Sequence, residues 1–228
     1  MIEKKNEFFL GLGLAIGFVV VLIFFFMPIF DGRNGLDYLD NLYNSISKGS
    51  AYYIPKVREE SSRFKGNAVT VNLTMANQKQ AEQTSLLFRK AGAAATVSGA
   101  QMQASGDLGI ILENALADAD AMYKNDGRAV ATKYGYEEKR VLYNWWKAME
   151  EMDKNLKKQK KFKEAKIVSL VEKKAVECSY NYYRVEPQGI GDRWGTVTFS
   201  LIFYVVYTLW YGFAILFMFE GWGLKLGH

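Results

Sequence analysis

Two long stretches without a charged residue, one near each end of the chain, constrain this sequence more than any other feature. They cover residues 8–30 and 194–219, and nearly all of the charge lies between them. A helix rises ~1.5 Å per residue, so roughly 20 apolar residues cross the ~30 Å hydrocarbon core of a bilayer. Both stretches are long enough, and we predict two transmembrane helices that flank a polar domain.

A cleaved signal peptide is the alternative interpretation of the N-terminal stretch. The apolar region of a signal peptide usually runs ~7–15 residues and is followed by small residues at the cleavage site. Residues 8–30 are longer and end in Met-Pro-Ile-Phe. We therefore favour an uncleaved anchor, with a short tail of residues 1–7 before it and another of residues 220–228 after the second helix.

Both predicted membrane helices carry a face suited to contact with another helix. Gly13 and Gly17 form a GxxxG pair in the first helix, and small residues at that spacing let two backbones approach closely. Tyr204, Tyr207 and Tyr211 share one face of the second helix, because they are spaced three and four residues apart. A hydroxyl needs a hydrogen-bond partner in lipid, so we expect these tyrosines to face protein. Local bonding or trapped water is the alternative.

Charges beside the two helices point to opposite orientations. Lys4 and Lys5 precede the first helix, which favours a cytoplasmic N-terminus under the positive-inside rule. Arg184 and Arg193 before the second helix, against Lys225 after it, favour the reverse. Long loops translocate largely regardless of their charge. We expect an extracytoplasmic domain on a bacterial-type inner membrane, with a cytoplasmic domain as the alternative.

The segment between the helices, residues 31–193, predicts a membrane protein of the α+β class with a mostly helical domain and a small β-sheet. Residues 68–75 strictly alternate apolar and polar side chains, as a half-buried strand does. Gly99-Ala100 separates two further short strands and suits a type II′ hairpin. The order strand, helix, hairpin, helix favours a sheet at about residues 68–105 that is covered by helices on one face.

Helix signals fill most of the rest of the domain. Asn77 and Asp107 are residues of the type that caps helix N-termini, one before each helix next to the sheet. A long helix is predicted over about residues 137–175. Its apolar residues recur every three or four positions and form a coiled-coil-like seam: Leu142, Trp145, Met149, Met152 and Leu156. Because the seam covers only about two heptads, packing against the domain's own core is favoured over self-association.

Basic and aromatic residues follow the seam, and we predict that they contact a partner or the membrane surface. They are Lys157, Lys158, Lys160 and Lys161, and then Tyr180, Tyr182, Tyr183 and Arg184. The simplest interpretation of the lysines is a solvated helix face, because Glu150 and Asp153 precede Lys154 and Lys157 by four positions. The functional alternative is contact with anionic lipid or an acidic partner. The tyrosines are expected at the membrane interface or against a partner subunit.

The residue inventory argues against most chemistries. His228, the last residue, is the only histidine, and Cys178 is the only cysteine. The chain therefore lacks the residues for a bis-histidine haem, an iron–sulfur cluster, a structural zinc site or a Ser–His–Asp triad. Asp118 and Asp120 lie two positions apart on one predicted helix and diverge, and Glu113 lies on a side similar to that of Asp120 without a further polar partner. We predict no catalytic residue, no metal site and no cofactor.

The leading hypothesis is a non-catalytic accessory or structural subunit of a larger membrane assembly, with a respiratory complex as one candidate. Its partners would be the lipid bilayer and other membrane-protein subunits, with a hetero-complex favoured over a homo-oligomer. The net charge of +5 is too small for a dedicated nucleic-acid binder, so no nucleic acid is expected. Two alternatives are an extracytoplasmic ligand-binding or sensory module that signals through a partner, and a self-assembling membrane scaffold.

Overall fold

The computed structural model describes residues 2–30 and 32–224; Asp31, Lys225 and His228 lie outside the described residues. The chain is mostly helical (71%) with a small three-stranded antiparallel sheet, which confirms the predicted fold class at that level. The elements, in chain order, are α1 (Lys5–Phe26), α2 (Gly35–Ser50), α3 (Ile54–Ser62), β1 (Ala68–Thr74), α4 (Gln78–Lys90), β2 (Ala94–Ser98), β3 (Gln101–Asp107), α5 (Leu108–Tyr123), α6 (Gly127–Tyr134), α7 (Glu138–Lys158), α8 (Phe162–Val171), a π-helical turn (Glu172–Val176), α9 (Glu177–Tyr182), a 3₁₀ turn (Ile190–Asp192) and α10 (Trp194–Gly221).

The chain divides into two compact units. The anchor unit combines Met1–Gly49 with Glu186–His228, and the second unit, which we call the domain, is Ser50–Val185. The domain is therefore shorter than the predicted segment of residues 31–193. Helix α2 groups with the anchor unit, in which the Tyr43 hydroxyl lies 2.6 Å from Ser200 Oγ of α10.

The sheet has the strand order β1-β3-β2, with every neighbouring pair antiparallel. Strands β2 and β3 form the predicted hairpin, in which Ser98 pairs with Gln101 across a two-residue turn. Gly99 has a φ of 59°, the positive value that a type II′ turn needs at its first central position. Glycine adopts this value without strain, which explains its place at the start of the turn.

Side-chain caps begin the two helices next to the sheet. Asn77 Oδ1 accepts a hydrogen bond from the backbone N–H of Gln80 at 2.9 Å, at the start of α4. Asp107 Oδ1 accepts one from the backbone N–H of Ile110 at 3.1 Å, at the start of α5. Each bond satisfies a backbone donor that has no partner inside its own helix. Both predicted caps are confirmed.

The core of the domain lies between one face of the sheet and helices α4, α5 and α7. Val69, Val71 and Leu73 of β1 are buried, and the residues between them are exposed. Helix α7 contributes the whole predicted seam, whose five side chains are fully buried: Leu142, Trp145, Met149, Met152 and Leu156. Trp145 packs against Phe88 of α4, with ring centroids 5.5 Å apart. The seam therefore faces the domain's own core, which leaves none of its side chains exposed for self-association.

The prediction of a single long helix over residues 137–175 is wrong. The structure has two helices there, α7 and α8, joined by a tight turn. The turn is a Schellman motif: Lys160 N–H donates to Lys157 O at 3.0 Å and Lys161 N–H donates to Leu156 O at 2.9 Å. Lys160 adopts a left-handed φ of 61°. Glycine usually occupies that position, so the lysine gave no sequence signal for the break.

Replacing Lys160 by glycine should stabilise the domain, because a left-handed backbone strains a residue that has a Cβ. We expect Lys160→Gly to raise the free energy of unfolding by ~0.5–1 kcal/mol. Lys158→Gly, at the last helical residue of α7, is the matched control and should lower it by up to ~1 kcal/mol. Urea unfolding in detergent, followed by circular dichroism, measures both. A loss of stability in Lys160→Gly would contradict the turn described here.

Candidate functional site

Helices α1 and α10 of the anchor unit pack against each other. Trp210 Nε1 donates to the backbone oxygen of Leu14 at 3.0 Å. The same indole lies beside Gly17, where an added Cβ would be 3.1 Å from the ring. Phe18 stacks on Tyr207, with ring centroids 4.6 Å apart. An indole bonded to a backbone carbonyl and a stacked aromatic pair thus fix the two helices together.

The two backbones come closest at Gly11 rather than at the predicted Gly13–Gly17 pair. A Cβ on Gly11 would lie 2.7 Å from Met218 N and 2.8 Å from Ala214 O, distances that only a glycine permits. A Cβ on Gly13 would have nothing within 4 Å. Residues two positions apart on a helix differ in direction by ~200°, so Gly13 points away from the face that Gly11 presents to α10.

The three tyrosines predicted to share a packing face do not share one environment. Tyr207 and Tyr211 lie against Phe18, with ring centroids 4.6 Å and 5.2 Å away. Tyr204 is 66% exposed, and its hydroxyl has no hydrogen-bond partner among the described residues. Tyr204 follows the first residue of α10, Trp194, by ~15 Å along the helix axis. An outward-facing polar group therefore lies in the interior of a long apolar helix.

The outer surface of the helix pair is apolar. Helices α1 and α10 contain 22 and 28 residues and are long and apolar enough to cross a membrane. Many of their large apolar side chains are more than half exposed: Phe9, Leu10, Ile16, Ile23, Phe24 and Phe26 on α1, and Phe199, Leu201, Ile202, Val205, Val206 and Leu209 on α10. An exposed apolar surface of this extent marks a contact with lipid or with protein.

A methyl-bearing side chain at Gly11 should force the two helices apart. We expect Gly11→Val to destabilise the pair by ~1–3 kcal/mol, the usual penalty of overpacking. Gly13→Val adds the same side chain at an open position and serves as the matched control. Thermal denaturation in detergent, followed by tryptophan fluorescence, should show a lower midpoint for Gly11→Val only. Equal midpoints for the two variants would contradict the close approach at Gly11.

Within the domain, the aromatic cluster predicted to contact a membrane or a partner packs, in part, against the domain itself. Tyr180 lies 5.6 Å from the ring of Trp146, and Tyr182 lies 6.3 Å from that of Tyr123. The Tyr183 hydroxyl donates to Glu138 Oε1 at 2.8 Å. Arg184 also reaches Glu138 Oε1, at 3.3 Å, although most of its side chain is exposed. Helices α5 and α7 supply these partners, which the sequence order alone does not reveal.

The carboxylates that the sequence analysis considered for chemistry are held in structural contacts. Asp118 is buried and accepts from Lys133 Nζ at 2.7 Å, Tyr134 OH at 2.6 Å and Trp145 Nε1 at 2.8 Å. Asp120 accepts from the Tyr52 hydroxyl at 2.6 Å. Burial and the neighbouring Asp118 raise the pKa of Tyr134 above its ordinary range. These arrangements fix helices rather than expose a reactive group.

Glu113, the third of these carboxylates, forms an ion pair with Arg58 at 3.1 Å. In the part of the chain that the structure describes, no three histidine, cysteine, aspartate or glutamate side chains meet in an arrangement that could hold a metal ion. Glu113, Asp118 and Asp120 are therefore all held by hydrogen bonds or ion pairs within the fold.

The predicted lysines lie on an exposed, strongly basic surface. Lys157 pairs with Asp153 at 2.6 Å, whereas Lys158, Lys160 and Lys161 form no ion pair with any described residue. The domain contains 23 lysines and arginines and 16 acidic residues, a net charge of +7. Residues 154–174 alone contain nine lysines and two glutamates, and this segment therefore carries the excess positive charge of the domain.

A groove of about 670 Å³ runs along this basic surface, between the end of α3 and helix α8. We call it the basic groove. Its basic residues are Arg63, Lys157, Lys163, Lys166, Lys173 and Lys174, and its apolar residues are Phe64, Phe162, Ile167 and Leu170. Glu60 and Asp153 supply its two carboxylates. Because the apolar residues lie among the positive charges, the groove suits an anionic group that also carries apolar surface.

The lysine run is evident in the sequence, whereas the groove is not. The run of lysines through Lys166 was visible, and so was Phe162 among them. The wall that contains Arg63 and Phe64 directly follows α3, about a hundred residues earlier in the chain. Only the packing of α3 near α8 brings the two walls together.

Glu172, at the start of the π-helical turn, is a buried carboxyl group with 7% of its surface exposed. Burial raises the pKa of this group, and the nearby charge of Glu150 raises it further. The charge of Lys173 and a hydrogen bond from Trp146 act in the opposite direction. Turns of this type often interrupt helices at functional sites. Since the folded-state pKa lies above the unfolded value, folding favours the protonated form.

Replacing Glu172 by glutamine should therefore stabilise the chain at neutral and basic pH. The unfavourable effect of Glu172 is absent below its unfolded pKa and develops as the pH rises through its raised folded pKa. We expect Glu172→Gln to raise the thermal midpoint at about pH 8 and to change it little at about pH 4. Melting followed by circular dichroism at both pH values measures this.

Glu164 is the control of opposite sign. A hydrogen bond from Asn67, at 3.1 Å, is the largest cause that lowers the pKa of Glu164. A lowered folded-state pKa stabilises the fold above the unfolded value, so Glu164→Gln should lower the thermal midpoint at about pH 8. A Glu172→Gln variant that melted below the wild type at that pH would contradict the assigned environment of Glu172.

No protein-family model, curated protein or solved structure matches this chain. The geometry of its own residues must therefore supply the argument for its function.

Proposed function

We propose that this chain is an integral membrane protein that serves as a non-catalytic accessory subunit of a larger membrane complex. The observation that carries the proposal is Tyr204, whose exposed hydroxyl lies in the interior of α10 without a hydrogen-bond partner among the described residues. A polar group in hydrocarbon without a partner is costly. A helix of another subunit that packs on this face would supply the partner.

The case for the membrane rests on helix length and surface. Helix α1 has 22 residues and helix α10 has 28, which correspond to ~33 Å and ~42 Å. Both lengths exceed the ~30 Å hydrocarbon core, and a tilt accommodates the longer helix. We place the domain on the extracytoplasmic side of an inner membrane, because Lys4 and Lys5 precede α1.

The case for an accessory role is that the carboxylates considered for catalysis are bound within the fold. Asp118 is saturated by three donors, and Glu113 and Asp120 are bound to Arg58 and Tyr52. An acid or base in catalysis must instead reach a substrate with a free proton or lone pair. The basic groove on the surface of the domain suits docking rather than bond making or breaking.

A ligand-binding module is the second candidate, and the volume of the basic groove favours it. Sites for small molecules usually enclose ~300–1,000 Å³ and combine apolar walls with a few polar groups. The groove, at about 670 Å³ with Phe64, Ile167 and Leu170 among its basic residues, falls within that description. On this alternative, an amphiphilic anion would occupy the groove and a partner chain would transmit the effect.

A photo-crosslinking experiment tests the accessory role at the residue that carries it. A photoreactive amino acid replaces Tyr204 in the full chain in native membranes, and mass spectrometry identifies the adducts. We expect an adduct with a different membrane protein, present in a fixed ratio when the wild-type chain is purified in mild detergent. The matched control replaces Trp210, which faces α1, and should give only adducts within the chain.

Three results would contradict the proposal. A lone chain, without an adduct at position 204, would leave the exposed tyrosine without a partner and shift attention to ligands of the domain. An adduct with a second copy of this chain would make it a self-assembling scaffold. Release of the protein from membranes by alkaline carbonate would overturn the transmembrane assignment itself.

A further inference from the structure

Phe162 is the most exposed large apolar side chain recorded in the domain. It is 64% exposed, whereas the next, Ile110, is 48% exposed. Phe162 is the first residue of α8, directly after the turn that ends α7. Scattered exposed apolar residues are common on protein surfaces, so exposure alone decides nothing. The surroundings of Phe162 set it apart from the others.

The turn before Phe162 is held in one conformation. Two backbone hydrogen bonds close it, with Lys160 in the left-handed region. Gln159, beside it, donates from Nε2 to Thr70 O of β1 at 2.9 Å and to Asn155 Oδ1 at 2.7 Å. The turn is therefore fastened to the sheet edge, and little conformational entropy is left to lose when it contacts another surface.

Lysines surround Phe162 in the sequence. Lys158, Lys160, Lys161, Lys163 and Lys166 form no ion pair with any described residue. Glu164, the nearest carboxylate in sequence, accepts a hydrogen bond from Asn67 at 3.1 Å. The lysines one and two turns earlier differ, because Lys154 and Lys157 pair with Glu151 and Asp153 at 2.7 Å and 2.6 Å.

A solvated, self-paired helix face explains Lys154 and Lys157 but not the turn after them. Such a face neutralises its charges within the helix and carries no exposed aromatic ring. The turn has the opposite composition, since its lysines are unpaired and Phe162 stands among them. An apolar ring that enters the headgroup layer, surrounded by cations that bind anionic lipid, is the composition of a membrane-surface contact.

We propose that the α7–α8 turn docks on the anionic leaflet of the membrane that holds α1 and α10, with Phe162 inserted among the headgroups and the lysines against their phosphates. This inference rests on the proposed membrane anchoring. Both ends of the domain, Ser50 and Val185, continue along the chain toward those helices, so the leaflet is present at high effective concentration. An acidic partner protein would have to compete with a surface that is always there.

Lysine rather than arginine also fits a fluid lipid surface. The segment from Lys158 to Lys163 contains four basic residues, and all of them are lysines: Lys158, Lys160, Lys161 and Lys163. Lysine acts as a flexible point charge, whereas arginine suits fixed bidentate contacts. Each lysine beside an anionic surface strengthens binding about fivefold.

The test uses the full chain in nanodiscs of neutral phosphatidylcholine, with or without anionic phosphatidylglycerol. An environment-sensitive fluorophore is attached at position 162 through Phe162→Cys, in a Cys178→Ser background. The matched control carries the fluorophore at position 110 through Ile110→Cys, an exposed apolar position outside the lysine run of residues 154–174. We expect a blue shift of the emission at position 162 in anionic discs only, reversed by high salt.

A second experiment neutralises three of the lysines by substitution. The triple variant Lys160→Gln, Lys161→Gln and Lys163→Gln should weaken docking of the turn about 100-fold and abolish the shift. These side chains are at the surface, and matching circular dichroism spectra of variant and parent would show that the domain still folds.

Three outcomes would overturn the proposal. The first is an unchanged emission at position 162 in anionic discs, and the second is an equal shift in neutral discs. The third is a shift that appears only when a soluble acidic protein is added, which would assign the turn to a protein partner. Failure of the anchoring proposal is distinguishable, because alkaline carbonate would then release the chain from membranes.

Discussion

The buried face of α7 is the interaction on which the domain depends. Its apolar residues fill the space under the sheet, and Trp145 also donates from Nε1 to the buried carboxylate of Asp118 at 2.8 Å. A buried carboxylate is tolerable only when donors replace its water, and Lys133 and Tyr134 of α6 supply the other two bonds. One polar cluster inside an apolar core therefore fixes α5, α6 and α7 in a single arrangement.

This use of carboxylates shapes the surface of the domain. Glu138 accepts hydrogen bonds from Tyr183 and Arg184, and Glu113 pairs with Arg58, so much of the negative charge is committed within the fold. Lys160, Lys161, Lys163 and Lys166, which follow α7, form no ion pair in the described structure. The resulting imbalance leaves one basic face, and the proposed roles in docking and lipid contact both derive from it.

The anchor unit illustrates how a helix pair separates inward and outward contacts. Gly11 lets the backbone of α1 reach Ala214 and Met218, and Trp210 bonds to Leu14 on the same side. Tyr204 lies on the surface of α10 that α1 does not cover. An interface built from small residues and aromatic stacking therefore coexists with an exposed hydroxyl, which we assign to a further helix.

Local signals in the sequence determined the elements of this protein. The alternation of β1, the caps Asn77 and Asp107 and the Gly99 turn each involve residues a few positions apart, so short-range stereochemistry specifies them. The seam of α7 could also be predicted from the sequence, because helical periodicity alone places its five residues on one face. The two long apolar helices, α1 and α10, could be predicted from the sequence without the structure.

Tertiary structure decided which of these features meet. The tyrosines of α9 packed against α5 and α7, and Gly11 replaced Gly13 as the point of closest approach. The end of α3 and the residues after it supplied one wall of the basic groove. The turn at Lys160 could not be predicted for a related reason. Its left-handed backbone has no glycine to mark it in the sequence, so the surrounding structure must stabilise it. Periodicity defines the faces of a helix, but the free energy of packing between distant segments selects the face that is buried.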